Sequence, residues 1–197
     1  MSQIKLLHSG GNGVILAAPS SNPASDRTLT LPGDADSTVD TLSRAGNILQ
    51  VKQVVKLDSF STTSTTAVDV TGLSVSITPS SSSNKVLVMC SMALGFDDAN
   101  FVYGILKRGN TQIGEADGAN NRPRPTIMAY DTNEGMVEMV SYTFLDLPNT
   151  TSATTYKLQV QCASTGTATV GKSFRDLDQT GFDPRCSSTI TLMEVAA

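Results

Sequence analysis

From Asn47 onward the chain never sustains the apolar stripe at every third and fourth position that a helix needs. Its apolar residues recur instead in short runs spaced by two, and Ser/Thr clusters, Gly and Pro separate the runs. GLSVSITPSSSSN sets Leu73, Val75 and Ile77 on one face and serines on the other. NKVLVMCSMALGF is apolar on both faces, as a strand covered on both sides should be. NILQVKQVVKLDSF carries Ile48, Val51, Val54, Val55 and Leu57 in mixed alternation. FVYGILKRGNTQIGEA reads as a hairpin turning at Arg108-Gly109-Asn110. GMVEMVSYTFLDLPNTTSATTYKLQVQCAS supplies two long strands around a Pro-Asn-Thr-Thr loop, and SSTITLMEVAA closes the chain with Ile190 and Leu192 alternating with Thr191 and Met193. Eight to ten such strands without an amphipathic helix predict an all-β fold, an antiparallel β-sandwich of the jelly-roll kind, over residues 47–197.

Composition agrees and narrows the function. Ser and Thr make up roughly a quarter of the 197 residues, and Thr suits a half-exposed sheet. The net charge is −4 with no Lys/Arg cluster, so no nucleic-acid partner is expected. No apolar run approaches the roughly 20 residues of a membrane span, and no membrane partner is expected. MSQIKLLHSGGNG has neither the apolar core nor the cleavage site of a secretion signal. Cys90 and Cys162 lie in apolar alternating runs and are expected to be buried thiols of a protein made in a reducing cytoplasm. A Cys90–Cys162 disulfide is the alternative if their strands are neighbours; Cys186 lies in a loop-like stretch with no metal site near it.

The first 46 residues are different. Short β-pairs at Ile4–Leu6, Val14–Leu16 and Leu29–Leu31 are separated by SGGNG, APSSNP and PGDAD. Such short runs cannot offset the entropy lost in ordering this much backbone. Residues 1–46 are therefore expected to form an extended arm, able to reach up to roughly 150 Å at about 3.3 Å per residue, that gains order against other chains.

Several motifs invite a chemical reading and lack its context. Gly166 to Ser173 satisfies the phosphate-loop pattern G-x-x-x-x-G-K-[ST], but FRDLDQTGFDPR after it contains Gly181, Pro184 and no helical stripe. The expectation is a hairpin strand bearing an exposed Lys172. Asp176, Asp178 and Asp183 echo a calcium loop, yet its twelfth position is Ser187 where a bidentate Glu belongs. A solvated acidic loop is expected there, and likewise at Asp97 and Asp98. His8 is the sole histidine and lies in the arm, so no Ser-His-Asp or Cys-His arrangement is expected. Glu115, Asp117 and Glu134 are the candidate acids for a glycosidase, but with no Trp and 5% aromatics there is little to build a sugar platform. The sequence thus predicts no catalytic residue, no cofactor, no metal and no enzyme.

SGGNGVILAAPSSNPASDRTLTLPGDADSTVDTL resembles a short repeat of tailed-bacteriophage structural proteins, in which small residues lead into a T-L-T-L-P strand and a polar turn. DVTGLSVSITPSSSSNKVLV, FLDLPNTTSATTYKLQV and STITLMEVAA resemble the C-terminal β-domains of phage virion proteins, those of cyanobacterial and aquatic phages especially. The resemblance implies a trimeric virion surface protein made in the host bacterial cytoplasm. Two roles follow from it. One is a homotrimeric capsid decoration (cement) protein that binds the major capsid protein. The other is a short tail fibre or receptor-binding protein on the tail or baseplate, recognising host surface glycan through the loops Asn120–Arg124 and Phe174–Arg185. One departure stands out: a fibre usually has many repeats or a long shaft, and this chain has a single arm.

Overall fold

A computed structural model of the chain describes residues 3–7, 10–11, 13–17, 44–97, 100–118 and 120–197. It divides into two compact units, Met1–Val39 and Asp40–Ala197. In the smaller unit β1 (Gln3–Leu7) and β2 (Gly13–Ala17) pair with each other as an antiparallel hairpin, Gln3 opposite Ala17 and Leu7 opposite Gly13. The expected strand at Leu29–Leu31, and His8, lie outside the described residues.

The larger unit is all β. Its strands are β3 (Ile48–Lys56), β4 (Phe60–Thr62), β5 (Val68–Ile77), β6 (Lys85–Phe96), β7 (Asn100–Arg108), β8 (Thr111–Gln112), β9 (Ile127–Asp131), β10 (Glu138–Asp146), β11 (Thr154–Cys162), β12 (Ala168–Val170) and β13 (Ser188–Val195). Set the three short strands β4, β8 and β12 aside, and the other eight pair from the outside in. β3 pairs with β13, β5 with β11, β6 with β10 and β7 with β9, all antiparallel. That is one long hairpin rolled up on itself. Cross-pairs β13–β6 and β11–β7 complete two sheets, β3-β13-β6-β10 and β5-β11-β7-β9, which is jelly-roll topology. The two long strands around the Pro-Asn-Thr-Thr loop, β10 and β11, therefore belong to different sheets.

The core follows from strand alternation. Val86, Val88, Cys90, Met92, Leu94 and Phe96 of β6 face Leu73, Val75, Ile77, Tyr156, Leu158 and Val160 of the second sheet within one buried cluster. β5 breaks strict alternation: its register with β11 slips between Lys157 and Gln159, at a bulge holding Gly72 at φ 86°, so that Val70 and Leu73 both point inward. The β7–β8 turn has two residues with Gly109 first at φ 56°, the position where a two-residue hairpin demands glycine.

Two polar staples close one end of the sandwich, where Asp146 and Glu194 flank Val86 of β6 from either side. Asp146 of β10 accepts from Arg108 of β7 at 2.8 and 2.9 Å and from the Tyr156 hydroxyl of β11 at 2.6 Å, so it ties one sheet to the other. Glu194 of β13 is 1% exposed and stands on the inward phase behind Ile190 and Leu192. It accepts from Gln50 (2.6 Å), Asn84 (2.6 Å), the Ser80 backbone N–H (2.6 Å) and the Ser80 hydroxyl (2.8 Å). Four donors hold one buried carboxylate.

Candidate interaction surface

The outward face of the β3-β13-β6-β10 sheet is the least ordinary surface of the larger unit. Alternation puts Val51, Gln53 and Val55 of β3, and Thr189, Thr191, Met193 and Val195 of β13, on this side. β6 adds Lys85, Leu87, Met89 and Ser91, and β10 adds Met139, Ser141, Thr143 and Leu145. Strand register then builds cross-strand rows. Val51, Met193, Leu87 and Leu145 form an apolar row across all four strands; Gln53, Thr191, Met89 and Thr143 form the next, and Val55, Thr189, Ser91 and Ser141 the one after. Val51, Met89, Met139 and Leu145 are each between 42% and 53% exposed.

In those fifteen positions the only ionisable side chain is Lys85, at one end. The polar groups satisfy one another: Gln53 donates to the Thr191 hydroxyl at 2.7 Å, and Ser141 and Ser91 pair at 3.1 Å. Between them runs a shallow cavity of about 260 Å³ lined by Gln53, Met89, Ser91, Ser141, Thr143, Thr189 and Thr191. Chemically such a face can pack and exchange hydroxyl hydrogen bonds. It is flat and neutral.

The sequence motifs resolve differently. Gly166 to Ser173 becomes a turn followed by β12, which is sandwiched between β4 and β6. Its interior from Ala168 to Val170 is buried sheet rather than a phosphate cradle. Lys172 corrects the expectation of an exposed lysine: it is half-buried and pairs with Asp176 at 3.2 Å. The reason is crowding over β6, where a Cβ on Gly95 would stand 2.6 Å from the Lys172 carbonyl oxygen.

The calcium-like loop is cross-braced by the chain's own cations. Asp176 takes both Lys172 and Arg185, the latter at 2.9 Å through two nitrogens. Asp183, fully buried at its side chain, takes Arg175 at 2.9 to 3.1 Å and the Ser173 hydroxyl at 2.9 Å. Arg185, and after it Lys172, hold Asp176 below the ordinary carboxylate range, and Arg175 does the same for Asp183. A cavity of about 470 Å³ opens beside Asp176, Asp178 and Gln179, with Leu177 and Arg185 on its wall. Three cations already answer Asp176 and Asp183, so the loop is a brace. Among the described residues no group of three or more His, Cys, Asp or Glu could hold a metal ion.

Asp97 accepts from the Thr167 backbone N–H and caps that turn; Asp98 lies outside the described residues. Glu115, Asp117 and Glu134 are exposed, and Glu115 is taken by Arg124 at 3.3 Å. Cys90 and Cys162 are buried free thiols on opposite sheets, and Cys186 is half-buried and free.

No protein-family model matches the chain, and no curated protein matches it. Among solved structures the chain is similar to three from infectious bursal disease virus. For the Gx strain the identity is 12%, over 94% of this chain and 50% of that one, with a TM-score of 0.40. For the T=1 particles derived from the virus the identity is 14%, over 94% and 43%, with a TM-score of 0.39. For the VP2 subviral particle it is 10%, over 86% and 46%, with a TM-score of 0.36. The chain spans about half the length of the chains it matches. TM-scores of this size fall short of placing two chains in one fold.

Proposed function

We propose that the chain is a non-enzymatic virion structural protein, a homotrimeric decoration protein that cements a phage capsid. The observation that carries this reading is the neutral outward face of β3-β13-β6-β10. A four-stranded face with one ionisable group and a continuous apolar row suits a flat protein contact, because interface cores are depleted in charge and large exposed apolar patches mark partners. In the proposed assembly this face packs on a second copy within the trimer. Residues 1–46 grip the major capsid protein, an occupant expected from the phage resemblance of that segment.

The mechanism is linkage. A protein that binds the assembled shell and not its free subunits stabilises the shell by about 2.7 kcal/mol per site at a hundredfold excess over Kd. A chain lacking residues 1–46 is expected to keep the melting transition of the sandwich and to lose co-sedimentation with shells. Retained co-sedimentation overturns the arm assignment. The alternative, a short tail fibre or receptor-binding protein on the tail, is favoured by a separate observation: the loop at Pro123–Pro125 borders a cavity of about 160 Å³ beside exposed aromatic rings.

A further inference from the structure

The β5-β11-β7-β9 sheet also has an outward face, and its chemistry is unlike that of the first. With six Phe and four Tyr in the whole chain, composition promises no aromatic platform. The fold nevertheless gathers Phe101, Tyr103 and Tyr130 at one end of this face. Phe101 and Tyr103 are two apart on β7 and share a side; Tyr130 of β9 stands opposite Phe101, and Met128 opposite Tyr103. The Phe101 and Tyr130 ring centroids are 4.7 Å apart at a 40° tilt, and those of Phe101 and Tyr103 are 6.4 Å apart with planes within 18° of parallel. Phe101, Met128 and Tyr130 are 39%, 52% and 48% exposed.

Directly beside the rings lies the cavity of about 160 Å³, walled by Tyr103, Ile105, Gln112, Pro123, Arg124, Pro125 and Gln161. Gln161 sits opposite Tyr103 on β11. The electrostatics of the cavity select its ligand. Arg124 is answered by Glu115 at 3.3 Å and donates to the Ala116 carbonyl, while Gln112 donates to the Arg124 carbonyl and so holds the loop in place. Farther along the face Lys157 is answered by Asp69 at 2.8 Å. A ligand in the cavity therefore meets aromatic faces, neutral amides and one cation, Arg124, already paired.

We propose that this end of the sheet is a binding platform for a neutral carbohydrate. The C–H face of a pyranose stacks on the electron-rich faces of Tyr103, Tyr130 and Phe101, and its hydroxyls exchange hydrogen bonds with Gln161 and the loop at Pro123–Pro125. An anionic ligand gains little where the cation is already paired. A purely apolar partner leaves the amides unanswered. The platform belongs to the sandwich itself, so it holds for either position on a particle and stands or falls separately from the cement reading.

The test is affinity gel electrophoresis of the full chain in native gels containing mannan, galactan, dextran or hydroxyethyl cellulose. At least one polysaccharide is expected to retard the protein. The double variant Tyr103→Ala with Tyr130→Ala is expected to weaken that retardation at least tenfold, and Gln161→Ala several-fold. Leu177→Ala, in the braced loop, is expected to leave it unchanged. Circular dichroism melts establish that each variant is folded; if the double variant does not fold, Gln161→Ala against Leu177→Ala decides. Retardation in none of the gels overturns the proposal, as does retardation equal in the native chain and the folded variants. So does a variant that changes the sedimentation coefficient and not the retardation, which would make this face a contact between copies.

Discussion

Replacing Glu194 by Ala tests whether its carboxylate is an organising centre of the sandwich end. The side chain is 1% exposed, and four hydrogen bonds of 2.6 to 2.8 Å converge on it. Of the donors, Asn84 is itself buried, and its other amide atom already accepts from the Ala197 backbone N–H at 3.2 Å. Truncation strands the buried Asn84 amide proton that Glu194 accepted, while exposed Ser80 turns to water and Gln50 keeps its bond to the Thr78 carbonyl. An unmet buried donor costs about 1–3 kcal/mol, so a loss of up to about 3 kcal/mol is expected. At that limit Tm falls by about 6–12 °C for a unit of this size.

The pH dependence gives the second arm of the same experiment. Burial pushes the Glu194 pKa up, but the bonds from Gln50, Asn84 and Ser80 outweigh it and leave the folded value below the ordinary 4.5. A depressed folded pKa means that the unfolded chain takes up the proton first. The stabilisation is therefore full above about pH 4.5 and lost as pH falls through the folded value. The gap between thermal melts of the native chain and of Glu194→Ala should narrow as pH falls from 7 to 3. A Tm difference under about 2 °C at pH 7, or one that does not shrink on acidification, refutes the reasoning.

Three further outcomes follow from other places in the fold. Tyr156→Phe removes the hydroxyl that donates to Asp146 at 2.6 Å and should cost about 1–2 kcal/mol by urea titration, with the Arg108 pair left to hold the carboxylate. Burial pushes the Cys90 thiol up to about 11 and raises Cys162 as well, so a disulfide reagent at pH 8 should label half-buried Cys186 quickly and the other two only on unfolding. Leu145→Lys with Val51→Lys places two like charges in one apolar row; sedimentation should show the proposed trimer dissociating while the melt of the sandwich changes by less than about 1 kcal/mol.

Much of the sandwich was legible as sequence because inward residues on β11 and β13 alternate, and alternation is dictated by the pleat; β6, apolar on both faces as a doubly covered strand would be, instead leaves Met89 42% exposed. Pairing order was not, since nothing in β10 or β11 says that a short Pro-Asn loop carries the chain from one sheet to the other. The β5 bulge was hidden for a similar reason: Gly72 marks it, but Leu73, Val75 and Ile77 alternate perfectly without it. Glu194 sits on the apolar phase of STITLMEV, and that misplaced carboxylate was the available signal of a buried hydrogen-bond cluster. For the outward surfaces the signal was Met193 and Val195 on the phase that should be polar. Lys172 and the calcium-like loop misled because spacing cannot reveal that Arg175, Arg185 and Lys172 itself return to meet the acids. The aromatic cluster depends on β7–β9 register, which composition does not carry.

The cement reading is tested most directly by counting this chain in purified virions, with quantitative mass spectrometry against the major capsid protein. The account predicts a copy number comparable to that of the capsid protein. A handful of copies in multiples of three would contradict it and place the chain on the tail.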